Sequence, residues 1–127
     1  MSPVAMRRVL RPVPVLLLLA GAVVHVLALL GFKLDDEPLW TDVLFLVLGA
    51  SLAILLAARI RWACWIAVLL FVQQVAAQGY WAVRQTMWNG SVLGVQQLAA
   101  ALSVVGLVAL VLNRSYYTRR DGATRVL

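Results

Sequence analysis

One histidine, one lysine and one cysteine occur in this chain of 127 residues, and only 13% of its residues are charged. Each scarcity argues against a class of chemistry. With Cys64 alone, no intrachain dithiol relay can form, which speaks against membrane thiol oxidation coupled to a quinone. His25 and Cys64 do not make a tetrahedral zinc shell, and bis-histidine haem ligation needs a second imidazole unless two copies meet across a symmetry axis. No nucleophile stands at workable spacing from a base, so the reading leans away from an enzyme. The sequence requires no cofactor and no metal.

What is abundant is apolar. Hydrophobic residues make up 64% of the chain and its mean hydropathy is +0.94, more than a soluble domain of this size can hide. They fall into four blocks, 12–32, 39–58, 62–83 and 92–112, and the only charge inside any block is Asp42. Each is about 20 residues, or roughly 30 Å of helix, the hydrocarbon thickness of a bilayer. Lipid offers backbone amides no partner, and the blocks lack the alternating polarity of a barrel strand, so the segments are helices. Pro12 and Pro14 fall in the first turn of the first block and Pro38 just precedes the second, positions a helix tolerates. The fold class expected is an all-α integral membrane protein: one antiparallel, up-down bundle of four transmembrane helices, residues 1–127 forming a single membrane domain with a short tail at 113–127.

Charge orients the bundle. Arg7, Arg8, Arg11, Arg59, Arg61, Arg114, Arg119, Arg120 and Arg125 lie on one side, against Lys33 and Arg84 on the other. Asp35, Asp36, Glu37 and Asp42 share the second side, leaving Asp121 on the first. Positive residues stay inside, so both termini are expected in the cytoplasm. Trp40, Trp81 and Trp88 then mark the outer boundary, and Trp62 and Trp65, with Tyr116 and Tyr117, the inner one. The arginines flank spans without interleaved aromatics, which argues against nucleic acid; the tail from Arg114 to Arg125 suits anionic headgroups.

The stretch Ala20-Gly21-Ala22 has the form of a signal-peptide cleavage site, but the apolar run continues to Phe32, so an uncleaved first helix is expected. The Arg7-Arg8 pair fits a twin-arginine signal poorly. The sequon Asn89-Gly90-Ser91 would matter only in a glycosylating secretory pathway. Arginine outnumbers lysine and Ala, Leu and Val dominate, a composition that points to a GC-rich bacterium and hence to its plasma membrane. The bilayer is the expected partner, together with other membrane subunits or further copies of the chain.

Against this background His25, Gln73, Gln74, Gln78, Gln96 and Gln97 stand out, all placed in the outer half of the membrane. At 100° per residue Gln73, Gln74, Gln78, Gln85, Tyr80, Trp81 and Arg84 share one arc of the third span, opposite Phe71, Val72, Val75, Ala76 and Gly79. Asp42 sits just above. Two readings of the cluster stand. As interhelical glue, each amide bond is worth roughly 0.6 to 2 kcal/mol. As a pocket, His25, Asp42, Gln73, Gln74, Gln78, Tyr80, Trp81, Arg84, Gln96 and Gln97 hold a small molecule, quinone or lipid. His25 itself is read either as a core histidine donating to a glutamine or backbone carbonyl, or as a group serving a quinone, a lipid headgroup, a proton relay with Asp42, or haem.

Small residues mark close helix contacts at Gly21, Gly49, Ala53, Ala57, Ala99, Ser103 and Gly106, and Gly21, His25, Ala28 and Phe32 share one face of the first span. The carboxylate that a small multidrug exporter carries in its first span is absent, as are the paired Asn and Phe motifs of fluoride channels. In layout, through its span lengths and Arg11, Gly21, Gly31 and Gly49, the chain resembles the small DoxX-like four-helix membrane proteins. That resemblance implies an accessory role beside a respiratory or redox enzyme and assigns no site residue.

Overall fold

The structure is a computed structural model that describes residues 2–32, 38–89 and 95–118, with the side chains of 85–89 and 95–96 left out. The described residues form helices and no strands: α1 (Pro3–Leu10), α2 (Val13–Leu29), α3 (Leu39–Ala57), α4 (Arg61–Asn89), α5 (Val95–Leu112) and α6 (Arg114–Thr118). Three segments, Pro3–Leu29, Leu39–Ala57 and Arg61–Arg84, are long and apolar enough to cross a bilayer, and Gln97–Leu112 is a shorter apolar helix. Large apolar side chains such as Val23, Val47, Ile54, Leu69 and Leu98 face outward on every one of these helices. An exterior of this kind belongs in lipid.

Local chemistry sets the helix ends. Ser2 caps α1 by accepting a bond from the Ala5 amide at 3.1 Å, with Pro3 in the first turn. Pro12 and Pro14 separate α1 from α2, yet Arg11 and Pro12 keep helical dihedrals and the Leu16 amide still reaches the Pro12 carbonyl at 3.0 Å. The first apolar segment therefore begins a helix earlier than residue 12. It also ends before Phe32. Gly31 takes φ 104, and the Phe32 amide bonds back to the Leu27 carbonyl at 2.8 Å, a left-handed closure that glycine accepts at little cost.

The turn between α3 and α4 has the same form without a glycine. Arg59 takes φ 61 while the Ile60 amide bonds to the Leu55 carbonyl at 3.0 Å. After it, α4 runs 29 residues to Asn89, so the connection expected from Arg84 begins about a turn and a half later. Residues 84–88 hold no proline or glycine to stop the helix, which is why it continues beyond the apolar stretch.

Chain neighbours pack as two hairpins, α2 on α3 and α4 on α5, with α2 also touching α5 and α3 touching α4. The shared core holds Leu18 from α2, Leu52, Ala53 and Leu56 from α3, Ala63, Cys64, Ala67 and Phe71 from α4, Leu110 from α5 and Tyr117 from α6. Buried positions on α2 recur as Pro14, Leu18, Ala22 and Ala28, and on α3 as Asp42, Gly49, Leu52, Ala53 and Leu56. At 100° per residue each set falls within about 120° of arc, one helical face.

The small residues of these helices differ in their surroundings. A Cβ on Gly106 would lie 2.5 Å from the Phe71 ring and 3.0 Å from Leu17, and one on Gly49 would lie 3.5 Å from the Leu18 carbonyl. Ala53 is buried, Ala99 and Ser103 are half-buried, and the Ser103 hydroxyl bonds at 2.7 Å to the Ala99 carbonyl of its own helix. Gly21, in contrast, has nothing within 4 Å of a Cβ, and Ala57 is exposed because the packed face of α3 ends at Leu56. Phe32 is exposed as well.

Candidate functional site

Asp42 enters the protein in the first turn of α3, where a carboxylate complements the helix dipole. Its side chain points inward and the residue is 2% exposed. A buried carboxylate requires a partner. His25 of α2 supplies it: Nδ1 lies 2.8 Å from Asp42 Oδ1. Since an ionised carboxylate only accepts, the imidazole N–H donates. The ring of Phe45, one turn along α3 from Asp42, stacks on His25 with centroids 5.8 Å apart and planes at 21°. His25 is thus held from two directions by one helix. Its partner is a carboxylate rather than the glutamine or backbone carbonyl expected of a core histidine.

This arrangement fixes the roles of the ring nitrogens. With Nδ1–H directed at Asp42, Nε2 is the acceptor. Nε2 has no hydrogen bond among the described residues, and His25 is half-buried. The site can accept a hydrogen bond or a proton from a group that approaches it.

The polar arc of α4 divides. Ala63, Ala67, Phe71 and Ala82 are buried, and Gln74 and Gln78 lie on the same stripe, half-buried, at the next four- and three-residue steps. Gln73, Tyr80, Trp81 and Arg84 are exposed. The expected arc opposed all of these polar residues to Phe71. In the structure Phe71 faces inward beside Gln74 and Gln78, because the arc straddles the edge of the packed face. The amides form a chain along the helix: Gln74 donates to Gln73 at 2.8 Å and Gln78 donates to Gln74 at 3.5 Å. Arg84 donates to the Tyr80 hydroxyl at 2.8 Å, with its guanidinium 5.6 Å from the Tyr80 ring and 5.8 Å from the Trp81 ring. Gln97, near the start of α5, is half-buried.

The side chains of Gln85, Trp88 and Gln96 lie outside the described residues, as do Lys33, Asp35, Asp36, Glu37, Gly90, Ser91, Arg119, Arg120, Asp121 and Arg125. Among the described residues no three His, Cys, Asp or Glu side chains come together as a metal site.

A second polar group lies at the other end of the helices, where the connections α1–α2, α3–α4 and α5–α6 meet. Arg11 and Arg59 both stack on Tyr116, at 4.3 and 4.2 Å from the ring centroid. Arg59 Nε donates to the Tyr116 carbonyl at 2.9 Å, and the Tyr117 hydroxyl donates to the Arg11 carbonyl. Sequence reasoning placed these aromatics at a boundary without pairing them with the arginines. Their convergence depends on α6 folding back, for which the sequence carries no visible signal.

Comparison with protein-family models, curated proteins and solved structures gives no match. The resemblance in layout to DoxX-like proteins is therefore carried by span lengths and four residues alone.

Proposed function

We propose that this chain is a four-span protein of a bacterial plasma membrane, with both termini in the cytoplasm. In this reading it is a noncatalytic subunit of a membrane assembly, and another membrane helix docks on the outward face of α4. The charge asymmetry of the connections supports the topology, and α5, although short, supplies the fourth crossing.

Gln73 carries the assembly reading. Its side chain is exposed on a helix whose other outward residues include Leu69 and Val72. It lies about 18 Å along the helix from Arg61, well inside the hydrocarbon. Amide groups left without partners in lipid cost on the order of 1 to 3 kcal/mol each. The bond from Gln74 uses one acceptor site of Gln73; a neighbouring helix that hydrogen-bonds the rest removes the cost. Tyr80 and Arg84 extend the same strip toward the headgroups. Cross-linking in native membranes from a photoreactive residue at position 73 tests this. Adducts with a second protein or a second copy are expected, and labelling of lipid alone contradicts the reading.

His25 Nε2 favours a second reading, a binder of a small molecule whose hydroxyl or protonated group donates to the imidazole, a reduced quinone or a lipid headgroup among them. His25→Asn separates the roles, since its amide can still donate to Asp42 while Nε2 is gone. A ligand seen by mass spectrometry on wild type and lost from His25→Asn supports binding. An empty wild type removes it.

A further inference from the structure

We propose that the occupant of the outward face of α4 is a second copy of this chain, the two α4 helices pairing in parallel about a two-fold axis with Gln73 against its own counterpart. The inference rests on the reading of that face as an assembly surface and names its partner. Ile66, Leu69, Gln73, Ala76, Tyr80 and Val83 follow one another at steps of three and four residues, and all six are exposed. Such steps occur on any outward helical face, so the residue types carry the argument.

With Ile66 and Gln73 at the a positions of a heptad and Leu69 and Ala76 at the d positions, the seam carries a β-branched residue at a and leucine at d. That choice favours two parallel strands. A single polar residue at an a position fixes the register and the number of strands, and Gln73 stands there. Ala76, the next seam residue, is small enough to let two backbones approach. The other spans differ. Among the described side chains, the outward faces of α2 and α5 hold only alanine, valine and leucine, and mid-span α3 adds only Ser51, whose hydroxyl can bond back to its own helix.

A glutamine amide is its own complement, since the carbonyl oxygen accepts and the NH₂ group donates. Gln74 donates to Gln73 at 2.8 Å, which fills one of the two acceptor sites on the Gln73 oxygen. Copies inserted in one direction meet about an axis along the membrane normal, which sets each residue opposite itself at the same depth. Gln73 then donates to its counterpart and accepts from it, and the second acceptor site is filled. A foreign helix would have to bring an amide to that depth; the second copy supplies one by symmetry. Gln78 donates to Gln74 at 3.5 Å, so the pair closes a run of amides that polarise one another in a low dielectric. Arg84 does not oppose the pairing. It lies one position past Val83, beside the seam, bonded to the Tyr80 hydroxyl of its own helix, and the two-fold axis sets the two arginines on opposite flanks.

The test uses the full chain with Cys64→Ala, carrying one of Ile66→Cys, Leu69→Cys, Ala76→Cys or Val83→Cys, oxidised with iodine in native membranes. Disulfide-linked pairs of the chain are expected at all four positions, and unlinked thiols at the control positions Val23→Cys on α2 and Val47→Cys on α3. Adding Gln73→Leu to Ala76→Cys should lower the association constant about tenfold, read from the linked fraction as the purified chain is diluted in phosphatidylcholine vesicles. Linked pairs that form as readily at the two control positions overturn the proposal, because chance collision explains them. So does the absence of linked pairs at all four seam positions. In that case photoadducts from position 73 to a different protein leave the face an assembly surface with another occupant, and labelling of lipid alone removes both readings. Linked pairs that are indifferent to Gln73→Leu overturn the amide pairing.

Discussion

His25 on α2 and Asp42 on α3 meet at 2.8 Å across the first helical hairpin, with Asp42 2% exposed and the Phe45 ring stacked on the imidazole. A carboxylate at that depth depends on its partner. Removing one member of a buried pair typically costs about 3 to 5 kcal/mol, whereas replacing both by apolar residues costs far less. His25→Ala is therefore expected to lower stability by about that amount in a mild-detergent unfolding assay, and His25→Leu/Asp42→Leu together to recover most of it. A single substitution costing under about 1 kcal/mol would mean that the pair does not hold α2 to α3.

Gly106 predicts a different kind of loss. An added methyl would meet the Phe71 ring at 2.5 Å with Leu17 behind it at 3.0 Å. Gly106→Ala should cost about 1 to 3 kcal/mol through overpacking, and Phe71→Leu in the same chain should relieve part of it. Gly21→Ala is the internal control. Open space surrounds that position, so its unfolding midpoint should equal or slightly exceed that of wild type.

Tyr117 gives the bundle a dependence on high pH. It lies past the last apolar helix, and burial, reinforced by Tyr116 and opposed by Arg11, pushes its hydroxyl from 10 up to about 12. The folded protein keeps the proton where the unfolded chain releases it. This contribution is complete below pH 10 and is lost as pH rises toward 12. Thermal unfolding between pH 8 and 11.5 should show the decline, and Tyr117→Phe should flatten it while lowering stability at neutral pH by about 1 kcal/mol for the hydrogen bond to the Arg11 carbonyl. An unchanged slope in the variant contradicts the assignment.

The helical fold was legible in the sequence because lipid permits few structures: four apolar blocks without alternation leave helices as the solution. The ends were less so. Gly31 and Pro38 announce their turns, but the α3–α4 turn uses Arg59 where a glycine is the usual signal, and nothing marks the extension of α4 past Arg84 except the absence of a breaker. Helical angle alone puts Gln74 and Gln78 on one side of their helix. It could not say which edge of their arc faced the core, because alanine and valine on both sides of α4 give no contrast inside a membrane. Facing direction was set by Phe71 fitting against Gly106, a contact between two helices. The His25–Asp42 pair was within reach of sequence reasoning as one option among several, since both residues are polar and close in depth. Its selection depended on the rotation of α3.

Native mass spectrometry of wild type and Gln73→Leu, extracted from membranes in the same mild detergent, decides whether the outward polar strip of α4 is an assembly surface. Wild type is expected in complex with a second membrane chain or a second copy, and Gln73→Leu as a folded single chain. A monomeric wild type, or a complex that the substitution leaves intact, would contradict it.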